Sequence, residues 1–230
     1  MNLYMLVEGK RTEKKIYPEW LHHTVPHLVR VYRPEDAITN NFYIISGNGY
    51  PSILTHTQQA VETINSLGGL YDHFAVIVDC EDVDIESRRE EISDIISSNR
   101  INSNVNTFII IQNCCIETWL LGNRKFIQPN PTLPELINCV NYYNVRLNDP
   151  EDMNKPEWHS GTTASFHDYY LDKIFKGRTG GHMVYNKNSP GEATKRHYLN
   201  SLVKRYTTDS HINTFGELLH FLRYIDPDYI

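Results

Sequence analysis

The chain has 230 residues, of which 40% are hydrophobic and 22% charged, and its formal net charge is -6. A chain of this length and composition can bury a sizeable core, which excludes a fibrous or disordered protein. No apolar run approaches the ~18 residues needed to cross a bilayer, and no charged and apolar leader precedes the first predicted strand. We therefore expect a cytoplasmic protein with no membrane partner.

Short apolar runs alternate with helical periodicity through the first 125 residues. The runs 3–7, 42–46, 74–78 and 107–111 predict buried strands, and segments 13–23, 51–67 and 86–98 predict helices between them. This alternation predicts an α/β fold, with a mostly parallel sheet of about four strands and helices on both faces. We expect Thr12 to cap the first helix, and the charged residues 88–91 to face water.

The pattern changes after Gly122, where prolines interrupt the chain. Helices are predicted at 134–143, 163–175, 191–206 and 214–224, with a loop at 148–161 and a glycine-rich turn at 177–181. We place a domain boundary at 125/126, so that residues 1–125 form the sheet-bearing domain. Residues 126–230 form a mainly helical, basic C-terminal extension packed on it.

Basic residues are concentrated in the C-terminal extension. Between residues 173 and 205 there are eight Lys and Arg residues and a single acid, Glu192. This stretch suits a polyanion, although a solvated charged surface is an equally good interpretation of the feature alone. The residues predicted to contact nucleic acid are Lys173, Lys176, Arg178, Lys187, Lys195 and Arg196.

Acidic residues follow three of the predicted strands. Glu8 follows the first, residues 79–84 contain four acids after the third, and Glu117 lies beyond the fourth. Because the carboxyl ends of parallel strands share one edge of a sheet, these carboxylates can converge, and Asp79 and Glu81 should point to the same side of the extended chain. Their mutual repulsion is costly without cations, and oxygen ligands suit Mg²⁺, Mn²⁺ or Ca²⁺ rather than zinc.

Other candidate features have simpler explanations. Glu13 alone would also be explained by the helix dipole, and the turn 46–49 is better explained as a tight turn than as a support for the metal site. Scattered histidines such as His167 are weak candidates for acid–base roles. The cysteines form no CxxC pair, which argues against a disulfide framework or thiolate zinc site and favours buried thiols: Cys80, Cys114, Cys115 and Cys139.

The acidic motifs occur in an order that resembles a TOPRIM domain. They are Glu8-Gly9 with Thr12-Glu13, then Asp79-x-Glu81, then Glu117-x-Trp119. The resemblance covers roughly residues 1–125 and is nearest to the single-domain and OLD-type TOPRIM nucleases of bacterial immunity, including the RloB-like proteins and the TOPRIM effector of the PARIS system. Each motif is short, so the specificity comes from three motifs in the right order.

The resemblance implies a nuclease that cleaves phosphodiester bonds of DNA or RNA, with tRNA as one candidate. Glu8 matches the TOPRIM glutamate, and Asp79 and Glu81 match its Asp-x-Asp pair. The second position of that pair is Glu instead of Asp, which leaves open whether Asp82 takes the role instead. These residues would be metal ligands, and Glu8 and Asp79 would be central to catalysis.

The resemblance also implies a second metal ion and a catalytic lysine. Glu13 and Glu117 are similar to the additional acids by which OLD-type nucleases bind a second metal, so two Mg²⁺ or Mn²⁺ ions are expected. These enzymes use a downstream lysine near the scissile phosphate. Lys187 is the first match for this lysine, and Lys173 is the second.

The leading hypothesis is therefore a metal-dependent endonuclease that acts as the toxic effector of a bacterial anti-phage system. The chain has no P-loop motif, and OLD-like relatives carry an ATPase fused or encoded beside them, so a separately encoded ATPase is an expected partner. A homodimer is left open. The alternative is a non-catalytic regulatory module that keeps the TOPRIM scaffold and binds a partner protein.

Overall fold

The computed structural model describes residues 1–228, which contain one sheet of five parallel strands. The strands are β1 (Asn2–Val7), β2 (Val29–Val31), β3 (Asn41–Ser46), β4 (His73–Asp79) and β5 (Asn106–Gln112). Their order in the sheet is β2-β3-β1-β4-β5. In the centre of this sheet, Val7 of β1 pairs with Ser46 of β3 and with Ile77 of β4. The predicted α/β class with a parallel sheet is confirmed.

Eight α-helices connect and cover the strands within the described residues. They are α1 (Glu13–Thr24), α2 (Ser52–Ser66), α3 (Ile85–Ser98), α4 (Ile116–Leu120), α5 (Pro134–Tyr142), α6 (Thr163–Arg178), α7 (Arg196–Asp209) and α8 (Asn213–Ile225). The predictions for α1, α2, α3, α5 and α8 agree with these bounds to within one residue at each end. Their signals are local, because caps, prolines and apolar spacing act within a few turns.

Side chains of β1 alternate between two cores, one on each face of the sheet. Leu3, Met5 and Val7 pack in the larger core, which includes residues of α1 and of α4 to α8. Tyr4 and Leu6 pack in the smaller core with α2 and α3. Because both faces are covered, β1 is buried along its whole length.

The larger core joins the sheet to helices from the second half of the chain. Phe215 and Leu222 of α8 belong to the same core as Val7 of β1. The division into residues 1–125 and a C-terminal extension of residues 126–230 stays a prediction, and residues 229 and 230 of that extension lie outside the described part. Within residues 1–228, none of the helices combines the length and the apolar character that a bilayer crossing requires.

The sheet has one strand more than the sequence pattern predicts. β2 covers three residues, Val29–Val31, and pairs with the outer side of β3. All three of its side chains are at least partly exposed. A strand so short and so weakly buried leaves no periodic apolar signal, which is why the sequence predicts about four strands and the structure has five.

The helices of the C-terminal part also differ from the prediction. α6 continues through Gly177 to Arg178 instead of ending at Phe175. The single helix predicted for 191–206 is divided, because Lys195 has an extended backbone and separates a 3₁₀ turn at Gly191–Thr194 from α7. α4 was not predicted at all, since five residues are too few for a helical period to show.

Candidate functional site

A cavity of about 360 Å³ opens where β1 and β4 end. Its walls include Glu8, which directly follows β1, Glu13 at the start of α1, Asp79 at the end of β4, and Glu117 of α4. Lys187, from the segment between α6 and α7, also lines it. The structure thus brings together five of the residues predicted for the site, and we call this the carboxylate cavity.

Backbone N–H groups fix the carboxylate of Glu8 on both of its oxygens. Oε1 accepts a hydrogen bond from the N–H of Tyr50 at 3.1 Å, and Oε2 accepts one from the N–H of Asp79 at 3.0 Å. The N–H of Gly49 also donates to the main-chain carbonyl of Glu8 at 3.0 Å. The turn after β3 therefore supports the site. Burial raises the pKa of Glu8, although the hydrogen bonds from the N–H groups of Asp79 and Tyr50 oppose the shift.

Glu13 folds back onto the main chain of Gly9. Its Oε1 accepts a hydrogen bond from the Gly9 N–H at 3.0 Å, and a Cβ atom on residue 9 would overlap this carboxylate. Glycine is therefore required at position 9 if Glu13 is to stay where it is. Burial, followed by repulsion from Glu117, raises the pKa of Glu13 to about 7.

The prediction that Thr12 caps α1 with its hydroxyl is wrong. Thr12 already has helical backbone angles, with φ of -63° and ψ of -56°, whereas a capping residue is normally extended. Its hydroxyl makes no hydrogen bond to the backbone of the first turn, as far as the chain is described. The acid in the first turn of α1 is Glu13, its first residue.

Asp79 carries a buried oxygen that lacks a partner. Its Oδ1 makes no hydrogen bond with any of residues 1–228. Burial raises the pKa of Asp79 well above its usual range, and the charges of Glu8, Glu13 and Glu117 raise it further. Since a buried polar atom without a partner is costly, this oxygen marks a position where a ligand is expected.

Glu117 is almost fully buried and lies between a hydroxyl and an ammonium group. The Tyr185 hydroxyl donates to its Oε1 at 2.8 Å, and the Lys187 Nζ is 3.5 Å from the same oxygen. Burial would lower the pKa of Lys187, but the carboxylates of Glu117 and Asp168 outweigh it and raise the pKa above its usual range. Lys187 therefore carries a positive charge beside the carboxylate cavity.

The rest of the acidic run after β4 lies elsewhere. Glu81 and Asp82 are exposed and line a second cavity of about 460 Å³, which we call the acidic cavity. The extended-chain geometry from which Asp79 and Glu81 were expected to point to the same side is absent, because β4 ends at Asp79 and Glu81 has a left-handed backbone with φ of 50°. The charge of Glu81 nevertheless raises the pKa of Glu8, so Glu81 lies near the carboxylate cavity. The roles of Glu81 and Asp82 as metal ligands stay a prediction.

The first basic residues of the C-terminal part are engaged with a neighbouring acid. Lys173 and Lys176 of α6 form ion pairs with Asp172 at 3.1 Å and 2.7 Å. These contacts neutralise part of the positive charge on α6. Lys187 is the predicted nucleic-acid contact that the structure places in the wall of the carboxylate cavity.

The other predicted basic contacts stand at helix ends. Arg178, the last residue of α6, donates a hydrogen bond to the carbonyl of Lys125 at 2.6 Å. Lys195 directly precedes α7 and Arg196 is its first residue. The basic stretch is thus spread over two helices and the segment between them. The count of basic residues in the sequence does not by itself establish a single basic surface.

Arg88 of α3 lies near the carboxylate cavity, although the sequence pattern predicts that it faces water. It is 3% exposed, and its guanidinium lies 3.9 Å from the centre of the Tyr50 ring. It also pairs with Glu91 at 2.5 Å. The prediction that residue 88 faces water is wrong, because the Tyr50 ring and the Glu91 carboxylate together offer a buried cation the partners it needs.

Tyr185 and Asp168 were missed by the sequence interpretation. Tyr185 stands two residues before Lys187, and this nearness was the only signal of its place beside Glu117. Asp168 lies within α6, where an isolated acid on a helix has no distinguishing pattern.

No protein-family model matches this chain, and neither the curated proteins nor the solved structures compared with it include a significant match. The chemistry of the carboxylate cavity is therefore the basis for a functional assignment. Four carboxylates supply only oxygen donors, and one of their buried oxygens has no partner within residues 1–228. Such a donor set fits Mg²⁺ or Mn²⁺.

Proposed function

We propose that this protein is a Mg²⁺- or Mn²⁺-dependent nuclease of the TOPRIM type, which hydrolyses phosphodiester bonds of DNA or RNA. The observation that supports this best is the convergence of Glu8, Glu13, Asp79 and Glu117 from four separate elements on one cavity. So many buried carboxylates are costly together unless cations neutralise them. The position of Glu8 after the central strand and of Asp79 at the end of its neighbour also supports the TOPRIM resemblance.

The four carboxylates would hold one or two divalent ions, which supply an activated water and stabilise the negative charge of the leaving oxygen. Backbone N–H groups orient Glu8, and the Tyr185 hydroxyl orients Glu117, so both carboxylates are preorganised. Lys187 provides a fixed positive charge that attracts a phosphate group into the cavity. Each residue thus has a role that its own contacts explain.

The substrate class and the biological role extend this proposal. Lys187 beside the carboxylate cavity supports a phosphate-bearing substrate, and the TOPRIM resemblance extends this to a nucleic-acid polymer, with tRNA as one candidate. The TOPRIM resemblance supports an anti-phage effector with a separately encoded ATPase partner, and it leaves a homodimer open.

Substitution of Asp79 by Asn gives the most direct test. The change removes one negative charge but keeps the shape of a side chain whose Oδ1 has no hydrogen bond to lose among the described residues. We expect cleavage of plasmid DNA or tRNA with Mn²⁺ to fall by about 100-fold or more, because metal-held charge stabilisation is worth several kcal/mol.

Asp94→Asn is the matched control, since Asp94 is an exposed acid on α3. This control should cleave as the parent does, and circular dichroism should show that both variants are folded. Equal cleavage by the parent and Asp79→Asn would reject the proposed site.

The alternative, a regulatory module that binds a partner protein, predicts a different outcome. A parent protein that binds Mg²⁺ and Mn²⁺ in calorimetry but cleaves no DNA or RNA would favour the module. Absence of metal binding at millimolar concentration would reject the metal centre itself.

A further inference from the structure

Two adjacent cysteines and a histidine meet beside the loop that leads into α4. The Sγ atoms of Cys114 and Cys115 and a ring nitrogen of His167 all lie within 4.8 Å of one another. All three residues are nearly fully buried, with exposed fractions of 6%, 3% and 1%. Thiolate sulfur and imidazole nitrogen are the donors that zinc takes most readily in proteins.

An unusual backbone conformation brings the two sulfurs together. Adjacent side chains of an extended chain point to opposite sides, so neighbouring cysteines do not normally share a ligand. Cys114 has a left-handed backbone with φ of 62°, whereas Cys115 is extended. The N–H of Cys114 donates to the Sγ of Cys80 at 3.1 Å, which helps to hold this turn. A left-handed backbone is uncommon for a residue other than glycine, so two adjacent cysteines seldom have their sulfurs on the same side.

Hydrogen bonds determine which nitrogen of His167 has a free lone pair. Its Nε2 lies 2.9 Å from the carbonyl oxygen of Met153, and because a carbonyl only accepts, Nε2 must carry the proton. Nδ1 is then the acceptor and receives the Thr118 hydroxyl at 2.7 Å. A metal-binding histidine typically donates its other ring N–H to a backbone carbonyl in this way.

The acidic cavity gives solvent access to this cluster. Cys114 lines it together with the acids Glu81, Asp82, Asp84 and Glu151. Carboxylates at the entrance attract cations, and the cavity of about 460 Å³ has room for a water molecule as an additional ligand. The cluster is thus buried on one side and reachable on the other.

We propose that Cys114, Cys115 and His167 bind one Zn²⁺ ion, whose fourth position is open toward the acidic cavity. Binding converts the two thiols to thiolates and releases their protons to water. Tetrahedral zinc requires a sulfur–sulfur distance of roughly 3.8 Å, which is compatible with the observed separations. Zinc displaces the Thr118 hydroxyl from the lone pair of His167 Nδ1.

This zinc site would be independent of the nuclease proposal, because its donors are sulfur and imidazole nitrogen, whereas the acids of the carboxylate cavity donate oxygen. It would still affect that cavity, since Glu117 stands only two residues after Cys115. A bound ion would fix the loop that places Glu117.

Cobalt(II) is a suitable spectroscopic probe for zinc sites, because its thiolate complexes absorb strongly and zinc displaces it. The full-length, reduced chain should be titrated with Co²⁺ in excess Mg²⁺, which occupies oxygen sites. We expect a thiolate-to-cobalt absorption that saturates at one ion per chain and disappears when Zn²⁺ is added. Cys114→Ser and Cys115→Ser should each lose this absorption.

Cys139→Ser is the matched control, because Cys139 is a buried thiol on α5 outside the cluster, and it should keep the absorption. Asp79→Asn should also keep it, which separates this proposal from that of the nuclease. No thiolate absorption in the parent, or an unchanged absorption in Cys114→Ser, would overturn the proposal.

A second measurement requires no variant and therefore does not depend on whether a variant folds. Alkylation of Cys114 by iodoacetamide, followed by mass spectrometry, should become about tenfold slower or more with equimolar Zn²⁺, because a metal-bound thiolate is a poor nucleophile. Equal rates with and without Zn²⁺ would contradict the site.

Discussion

The acids that follow β4 lie in two different cavities although they are close in sequence. Asp79 enters the carboxylate cavity with Glu8, Glu13 and Glu117, where burial raises its pKa well above the usual range. Glu81 and Asp82, only two and three residues later, are exposed in the acidic cavity. The difference shows that acids adjacent in sequence need not share a cavity, whereas acids from separate elements can converge in one.

The strongest way to test this comparison is to remove one acid from each group. We expect Glu8→Ala to lower Mn²⁺-dependent cleavage by about 100-fold or more, since Glu8 is a buried acid of the carboxylate cavity. We expect Asp82→Ala to stay within about threefold of the parent, because an exposed acid is easily replaced by water. Rates of plasmid and tRNA cleavage measure both effects.

Glu8 also accepts two backbone hydrogen bonds, so its loss affects folding as well. The rise in melting temperature on addition of Mn²⁺ distinguishes the two causes: it should disappear in Glu8→Ala and persist in Asp82→Ala. An equal loss of cleavage and metal-induced stabilisation in both variants would show that the acidic run after β4 takes part in the site after all.

A pH titration of stability sharpens the comparison for the buried group. An acid whose pKa is higher in the folded state contributes stability that is complete below its unfolded pKa and is lost as pH rises through the folded value. Burial raises the pKa of Glu13 from 4.5 to about 7. In EDTA, the free energy of unfolding should therefore fall between these values, by on the order of 2–3 kcal/mol for this residue.

Urea unfolding across this pH range measures the slope. Glu13→Gln should show a shallower decline, since Gln can still accept the hydrogen bond of the Gly9 N–H but cannot ionise. Added Mg²⁺ should restore stability at the alkaline end by mass action. The same slope in the parent and in Glu13→Gln would contradict the assigned cause.

Arg88 provides a third test, because it packs on the ring of Tyr50, whose N–H donates to the Glu8 carboxylate. Loss of its contact with the Tyr50 ring and of its pair with Glu91 should lower the free energy of unfolding by about 2 kcal/mol in Arg88→Ala. Arg33, whose side chain is 70% exposed, gives the control Arg33→Ala, which should change stability little. Chemical denaturation of both variants checks this, and equal losses would argue against a supporting role for Arg88.

The smallest effect is expected in the exposed group. Asp84 caps α3, where its carboxylate accepts the N–H of Ser87 at 3.0 Å. Asp84→Ala should lower the melting temperature slightly, by less than Arg88→Ala does, and leave cleavage unchanged. Asp84→Asn should recover most of the loss, because Asn is also a good capping residue. A fall in cleavage for Asp84→Ala would assign this acid a role beyond capping.

The elements that the sequence predicts well are those with local signals. β1, β3, β4 and β5 are apolar runs, and apolar spacing marks α1, α2, α3, α5 and α8, so the bounds of these elements follow from a few neighbouring residues. β2 and α4 could not be predicted, because they are too short to show a period. The division of the helix predicted for 191–206 depends on one extended residue, Lys195, which carries no sequence signal of a break.

Part of the site was predictable for the same reason. Glu8 and Asp79 stand where parallel strands end, and the strand order places those ends side by side. Tyr185 was not predictable, since its contact with Glu117 joins residues 68 positions apart. The cluster of Cys114, Cys115 and His167 was not predictable either, because the histidine comes from α6 and the sulfurs meet only through a left-handed turn.

By itself, the sequence determined the α/β class and the acids that follow the central strands, because apolar periodicity and strand ends are local properties. Only the tertiary structure decided which of those acids are buried together, which lysine reaches them, and that Arg88 lies beneath Tyr50. These outcomes depend on turns such as the left-handed Glu81 and on contacts between distant segments.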